Sequence, residues 1–208
     1  MADIFDEIDE DLKRDRAQEL WARYGKFVIA AAAAVVLAVG SLQGYKTWTQ
    51  SRAESAANAY QAALASESVV AALDATLPEL TDGYAMLAQF RIAGEKAAAG
   101  DLADAETGYL ALSNDKSIAP LYQQAALLLS VMSAPAEADT KELQNRLGPL
   151  VSAAGPWQGL AMELSAALDL KTGDRAAAMS KIESLLTLPE ISPELRQRAN
   201  QLLIILKS

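Results

Sequence analysis

Residues 27–45 carry no charged side chain over 19 consecutive positions, in a 208-residue chain that otherwise reads as a water-soluble helical protein. A helix rising about 1.5 Å per residue carries this run roughly 28 Å, close to the hydrocarbon thickness of a bilayer. Trp21 and Tyr24 precede the run, and Tyr45 and Trp48 close it, where amphipathic rings settle at membrane–water interfaces. Phe27, Val28, Ile29, Val35, Val36, Leu37, Val39 and Leu42 supply the drive for insertion, roughly −2.4 to −4.8 kcal/mol at about −0.3 to −0.6 each. The alanines add little, and Gly40, Ser41, Gln43 and Gly44 oppose insertion near the second end. Two other readings stand beside a membrane helix. One is a buried alanine-rich helix. The other is a cleaved signal peptide with Ala38-Val39-Gly40 as its small-residue cleavage site. The segment before the run is acidic and ends in aromatic anchors, whereas signal peptides open on a short basic stretch.

Lysine and arginine near the run set the expected orientation. Lys13, Arg14, Arg16, Arg23 and Lys26 precede it, and only Lys46 and Arg52 follow closely. The excess predicts a cytoplasmic N-terminus and a C-terminal domain across the membrane, which is the periplasm if the membrane is the inner membrane of a Gram-negative bacterium. Residues 1–26 then form a charged cytoplasmic tail, in which Ile4, Ile8 and Leu12 recur at helical spacing. Residues 27–45 form the span, 46–82 connecting helices, and 83–208 a repeat domain.

A net charge of −9 argues against a nucleic-acid partner, because phosphate binding needs a basic surface. The chain has neither cysteine nor histidine. That removes disulfides, thiolate and imidazole metal sites, and the commonest general base. No G-x-S-x-G and no phosphate-loop pattern is present, and the acidic residues are scattered as on a solvated surface. The reading is a non-enzyme with no cofactor, no metal site and no small-molecule substrate. Membrane lipid, contacted by one helix, and other proteins are the expected partners.

After the run the pattern is all-α. Gln50 to Ala65 is free of proline and glycine. Beyond it, breaks are expected at Pro78, Asp82-Gly83, Gly100-Asp101, Asn114 to Pro120, Ser133-Ala134-Pro135, Gly148-Pro149, Gly155-Pro156, Gly173-Asp174 and Pro189 to Pro193. Three apolar stripes at helical spacing lie between them: Leu195, Ala199, Leu202, Leu203 and Leu206; Leu160, Leu164 and Leu168; and Leu121, Ala125, Leu128 and Met132. The two Gly-Asp turns read alike. Gly100 and Gly173 cap one helix in a left-handed conformation, and Asp101 and Asp174 cap the next through their carboxylates. Ala105 and Ala178 follow four residues later, where a small side chain lets the helices of a hairpin touch. The turns lie 73 residues apart, two units of about 36.

These hairpins resemble tetratricopeptide repeats. Ile92, Ala93, Gly100, Ala105, Tyr109 and Leu112 match the large and small consensus positions in the first, and Ala166, Gly173, Ala178, Ile182 and Leu185 in the last. The middle hairpin, residues 119–154, has Ser133-Ala134-Pro135-Ala136 at its turn and lacks the glycine. The order of segments adds a second resemblance. A charged tail and a ring-flanked span ending near Gly44-Tyr45-Lys46-Thr47-Trp48 lead into an alanine-rich helix around Tyr60. Then come Tyr84-Ala85-Met86-Leu87-Ala88, Gly155-Pro156-Trp157, Gly173-Asp174 and Ile191-Ser192-Pro193. This layout resembles the YfgM-like family, ancillary subunits of the bacterial SecYEG translocon. The resemblance implies a periplasm-facing adaptor that meets the translocon, periplasmic chaperones and unfolded chains. A cell-envelope scaffold for division or outer-membrane assembly is the alternative. A carboxylate-gripping groove would draw on Arg91 and Lys96; an alanine- and leucine-lined groove would accept apolar segments. Gly40 and Gly44 form a G-x-x-x-G face suited to packing on another membrane helix.

Overall fold

The computed structural model describes the backbone of residues 3–207 and the side chains of residue 14 and of 18–207. Among the described residues it is all-helical, with no strand. Helix α1 runs Asp3–Leu64 without interruption. One helix therefore covers the tail, the span and the start of the connecting region. The physical reason is plain: the first proline is Pro78, and Gly25, Gly40 and Gly44 each sit alone among good helix formers. Ser41 and Thr49 return their hydroxyls to the carbonyls of Leu37 and Lys46, so neither leaves an unpaired donor. The spacing of Ile4, Ile8 and Leu12 falls on side chains outside the described ones.

The chain divides into two compact units, Met1–Ser55 and Ala56–Ser208. In the second, α2 (Val69–Thr76), a 3-10 turn (Leu77–Glu79) and α3 (Asp82–Ala99) follow the end of α1. Then come α4 (Leu102–Asn114), α5 (Pro120–Met132), α6 (Thr140–Ser152), α7 (Gln158–Lys171), α8 (Arg175–Leu186) and α9 (Pro193–Lys207). From α2 to α9, each helix packs on the next in sequence, the nearest-neighbour logic of a repeat stack. Ala56 and Ala63 open the core beside Leu73, Leu80 and Ala88, with the rings of Tyr60 and Tyr84 5.8 Å apart. Ala93, Tyr109 and Leu112 continue it, then Leu128, Leu143 and Leu147, and finally Ala166, Ile182 and Leu185.

The two Gly-Asp turns share one geometry. Gly100 has φ 90° and Gly173 has φ 82°. In the first, Asp101 N–H donates to the Lys96 carbonyl and Gly100 N–H to that of Ala97; in the second, Asp174 N–H reaches Asp169 and Gly173 N–H reaches Leu170. This paired closure is the Schellman motif. The aspartates differ. Asp174 accepts from the Ala177 N–H at 2.9 Å, but Asp101 makes no side-chain cap, contrary to expectation. The two residues have nearly the same backbone angles, so the difference lies in the side-chain rotamer. The glycine-free middle turn takes residues 133–139 to reverse the chain, and Asp139 caps α6 through the Lys141 N–H.

Two expectations need adjusting for identifiable reasons. The break expected at Gly148-Pro149 with Gly155-Pro156 does end α6, at Ser152, but Pro149 lies inside the helix. Its ring is exposed, as is Asn145 one turn earlier, while Leu147 and Leu150 hold the buried side. The carbonyl freed by the missing N–H thus belongs to an exposed residue on the solvent side of the helix, where leaving it without an intrahelical partner costs little. The stripe Leu121, Ala125, Leu128 and Met132 has the wrong phase. Leu121 and Met132 are exposed, and α5 instead buries Ala126, Leu128, Ser130 and Val131. A helix flanked by neighbours on two sides buries a broader, rotated arc than a single stripe marks. In α7, Leu168 is fully in the core and Leu160 and Leu164 are partly so, beside Ala161, Met162 and Ala166. The α9 stripe holds, with Leu195, Ala199 and Leu206 buried and Leu202 and Leu203 packed against them.

Ile182→Ala should cost about 2–5 kcal/mol, and Gly100→Ala about 1–2 kcal/mol for a side chain forced left-handed. Met132→Ala should stay within about 0.5 kcal/mol. Guanidinium midpoints of the full chain in mild detergent check the order.

Candidate functional site

The first unit offers a surface with no internal partner. The apolar window of α1 is wholly unburied within the structure, and Val36, Leu37 and Leu42 are each 70% exposed. It is the one helix among the described residues long and apolar enough to cross a membrane. Trp21, Tyr24, Tyr45 and Trp48 are all exposed at its ends. The Trp21 ring lies along the backbone of Gly25, where an added Cβ would come within 3.1 Å of it. Gly25 thus lets the indole lie flat on the helix, a role that the sequence pattern does not single out. Cations lie over the neighbouring rings: Arg23 is 5.7 Å from the Tyr24 centroid, Lys26 5.4 Å from Phe27, and Arg52 5.3 Å from Trp48. At Gly40 and Gly44 an added Cβ would meet nothing within 4 Å.

In the second unit the repeat positions turn inward. Ala105, Ala178 and Ile182 are fully buried, and Tyr109 nearly so. Tyr109 lies 6.1 Å from the Phe90 ring, and its hydroxyl would be 3.3 Å from a Cβ at Gly94. One residue earlier, Gly108 would bring its Cβ within 3.2 Å of that of Ala93. These residues set how closely α3 and α4 approach. The large apolar side chains left exposed on the first helices of the hairpins are Leu87 on α3 (45%) and Leu121, Tyr122 (46%) and Met132 on α5. The cations that could grip a carboxylate are already engaged. Arg91 pairs with Glu95, and Lys96 sits 3.1 Å from Asp104. The cleft beside Lys96 and Asp104, floored by Leu77, Ile92 and Ala111, encloses about 150 Å³, below the usual volume of a small-molecule site.

A polar network links the later hairpins. Gln144 of α6 donates its amide to the Ser165 carbonyl and to Asp169 Oδ1, both at 2.8 Å, and accepts from the Ser165 hydroxyl. Lys181 of α8 stands 2.6 Å from Asp169 Oδ2. That oxygen is buried with no conventional hydrogen-bond partner, so the ammonium is its compensation. Arg146 joins Glu106 of α4 to Glu142 of its own helix, and Arg198 of α9 grips Glu163 of α7 with two 2.8 Å bonds. Apart from Glu142, one turn before Arg146, the partners lie tens of residues apart and follow no local spacing. Among the described residues no acidic cluster could hold a metal ion. The arrangement is a contact platform: a rigid stack, an exposed apolar helix, and cations mostly neutralised from within.

The family model for the tetratricopeptide repeat-like domain matches residues 18–179, and the chain belongs to that family. The match starts before the apolar run and ends within α8. No curated protein and no solved structure matches the chain. Domains of this kind act through contact with other proteins.

Lys181→Met should destabilise the chain by about 1–3 kcal/mol by stranding a buried carboxylate, and adding Asp169→Leu should recover part of the loss; a double-mutant cycle in denaturant measures both. Burial pushes the Tyr109 phenol above its ordinary value. The folded chain holds that proton more tightly, so this contribution is intact below about pH 10 and is lost as pH rises through the folded value. Melting curves should therefore fall more steeply with alkali in the parent than in Tyr109→Phe.

Proposed function

We propose that this chain is a single-pass inner-membrane adaptor that works beside the protein translocation machinery. In this reading residues 27–45 cross the bilayer, the N-terminal tail is cytoplasmic, and the repeat domain, 83–208, faces the periplasm. Its clients are emerging, still unfolded chains, and its partners are the SecYEG translocon and periplasmic chaperones. The observation that carries the reading is the combination in one chain. An unpartnered apolar helix with ring and cation collars precedes a stack of hairpins, and a single family model covers both. The order of segments, which resembles that of the YfgM-like translocon subunits, supplies the partner.

Tethering explains how a shallow surface suffices. A weak binder confined beside an exit pore works at high effective concentration without any added contact. The exposed Leu87 and Tyr122 suit apolar client segments, whereas the self-paired Arg91 and Lys96 weigh against a grip on a terminal carboxylate. Gly40 and Gly44, open on the span, give a face on which a translocon helix can pack closely.

An alkaline phosphatase fused after Ser208 should be active in cells, and carbonate at high pH should leave the chain in the membrane pellet. A photocrosslinker at Leu87 or Tyr122 should capture translocon subunits and nascent chains. Peptidoglycan-synthesis or outer-membrane-assembly proteins in their place would support a cell-envelope scaffold and end the adaptor reading. Gly40→Leu with Gly44→Leu should reduce co-purification with translocon subunits.

A further inference from the structure

From Leu20 to Ala53 the chain contains no aspartate or glutamate, although it holds 27 acidic residues and a net charge of −9. The only charges in that stretch are Arg23, Lys26, Lys46 and Arg52. Three of these four lie over aromatic rings, at 5.7, 5.4 and 5.3 Å. Elsewhere several cations hold a carboxylate instead: Arg91, Lys96, Arg146, Lys181, Arg198 and Lys207. Glu19 lies one turn before Arg23, yet the guanidinium rests on Tyr24. Glu54, the nearest acid to Arg52, instead accepts from Gln50.

Spacing gives an independent measure. Along one unbroken helix, Lys26 and Lys46 are about 30 Å apart and Arg23 and Arg52 about 44 Å apart. A bilayer is about 30 Å thick in hydrocarbon and about 40–45 Å across its headgroups. The inner pair thus falls at the two edges of the hydrocarbon and the outer pair in the two headgroup layers. We propose that these four cations, three of them backed by Tyr24, Phe27 and Trp48, form two phosphate-binding collars that select anionic glycerophospholipids around α1. The inference rests on the membrane reading of that helix. The rings of Tyr24, Phe27 and Trp48 each cover one side of a cation and leave the other open to a lipid phosphate, and no carboxylate lies between Leu20 and Ala53 to compete or repel.

The test is tryptophan quenching in the full-length chain, reconstituted in phosphatidylcholine vesicles containing phosphatidylglycerol. In one set the phosphatidylglycerol carries brominated chains; in the other the phosphatidylcholine does, at equal mole fraction. The parent should show a preference of about twofold or more for the brominated phosphatidylglycerol. Arg23→Gln, Lys26→Gln, Lys46→Gln and Arg52→Gln combined should abolish it, and Arg23→Lys with Arg52→Lys should keep it. Inorganic phosphate should act no differently from sodium chloride at equal ionic strength. Equal quenching by the two lipids overturns the lipid selection and leaves the span standing. Quenching by neither lipid overturns the span as well. Selective loss of the preference in inorganic phosphate would mean a site for free phosphate and would overturn the lipid assignment.

Discussion

Close approach of helices through methyl-sized side chains is the contact on which the repeat unit depends. Helices α3, α4, α5, α7, α8 and α9 each bury at least one alanine. At Gly108 even an added methyl would crowd Ala93, and at Gly159 it would reach within 2.8 Å of Leu195. Alanine loses no rotamer freedom on burial, and its small size lets neighbouring backbones gain dispersion contact along their length. Leucine and isoleucine fill what remains: Leu73, Leu112, Leu147, Ile182 and Leu185 are almost wholly enclosed. A chain with few aromatics makes its core this way, by proximity more than by bulk.

The same economy of side-chain size makes α1 a different kind of element. Its apolar window is unburied within the structure, while only its last turns, with Ala56 and Ala63, join the repeat core. The rings and cations belong to the ends of that unburied window. In the second unit, by contrast, many of the cations pair with carboxylates of the same or a neighbouring helix.

Much of this was legible from local pattern. The helical class, the glycine turns at 100 and 173, the α9 stripe and the ring-flanked run all announce themselves within a few residues of sequence. What the pattern missed has a common physical character. Pro149 is tolerated because its face of α6 is wet, and the burial arc of α5 is turned by neighbours on both sides; both facts belong to tertiary context. Asp101 and Asp174 share a motif and backbone angles yet differ in rotamer, which no spacing rule encodes. The Gln144–Ser165–Asp169–Lys181 network joins three helices over 37 residues, beyond the reach of any periodicity.

That network bears on modularity. A helical stack held only by alanine and leucine could slide by one turn, or accept a shuffled hairpin, at modest cost. Here such a slip would leave the Gln144 amide, the Ser165 hydroxyl and the Asp169 carboxylate dry and unmatched. The junction between the second and third hairpins is therefore keyed, and these repeats are not interchangeable cassettes.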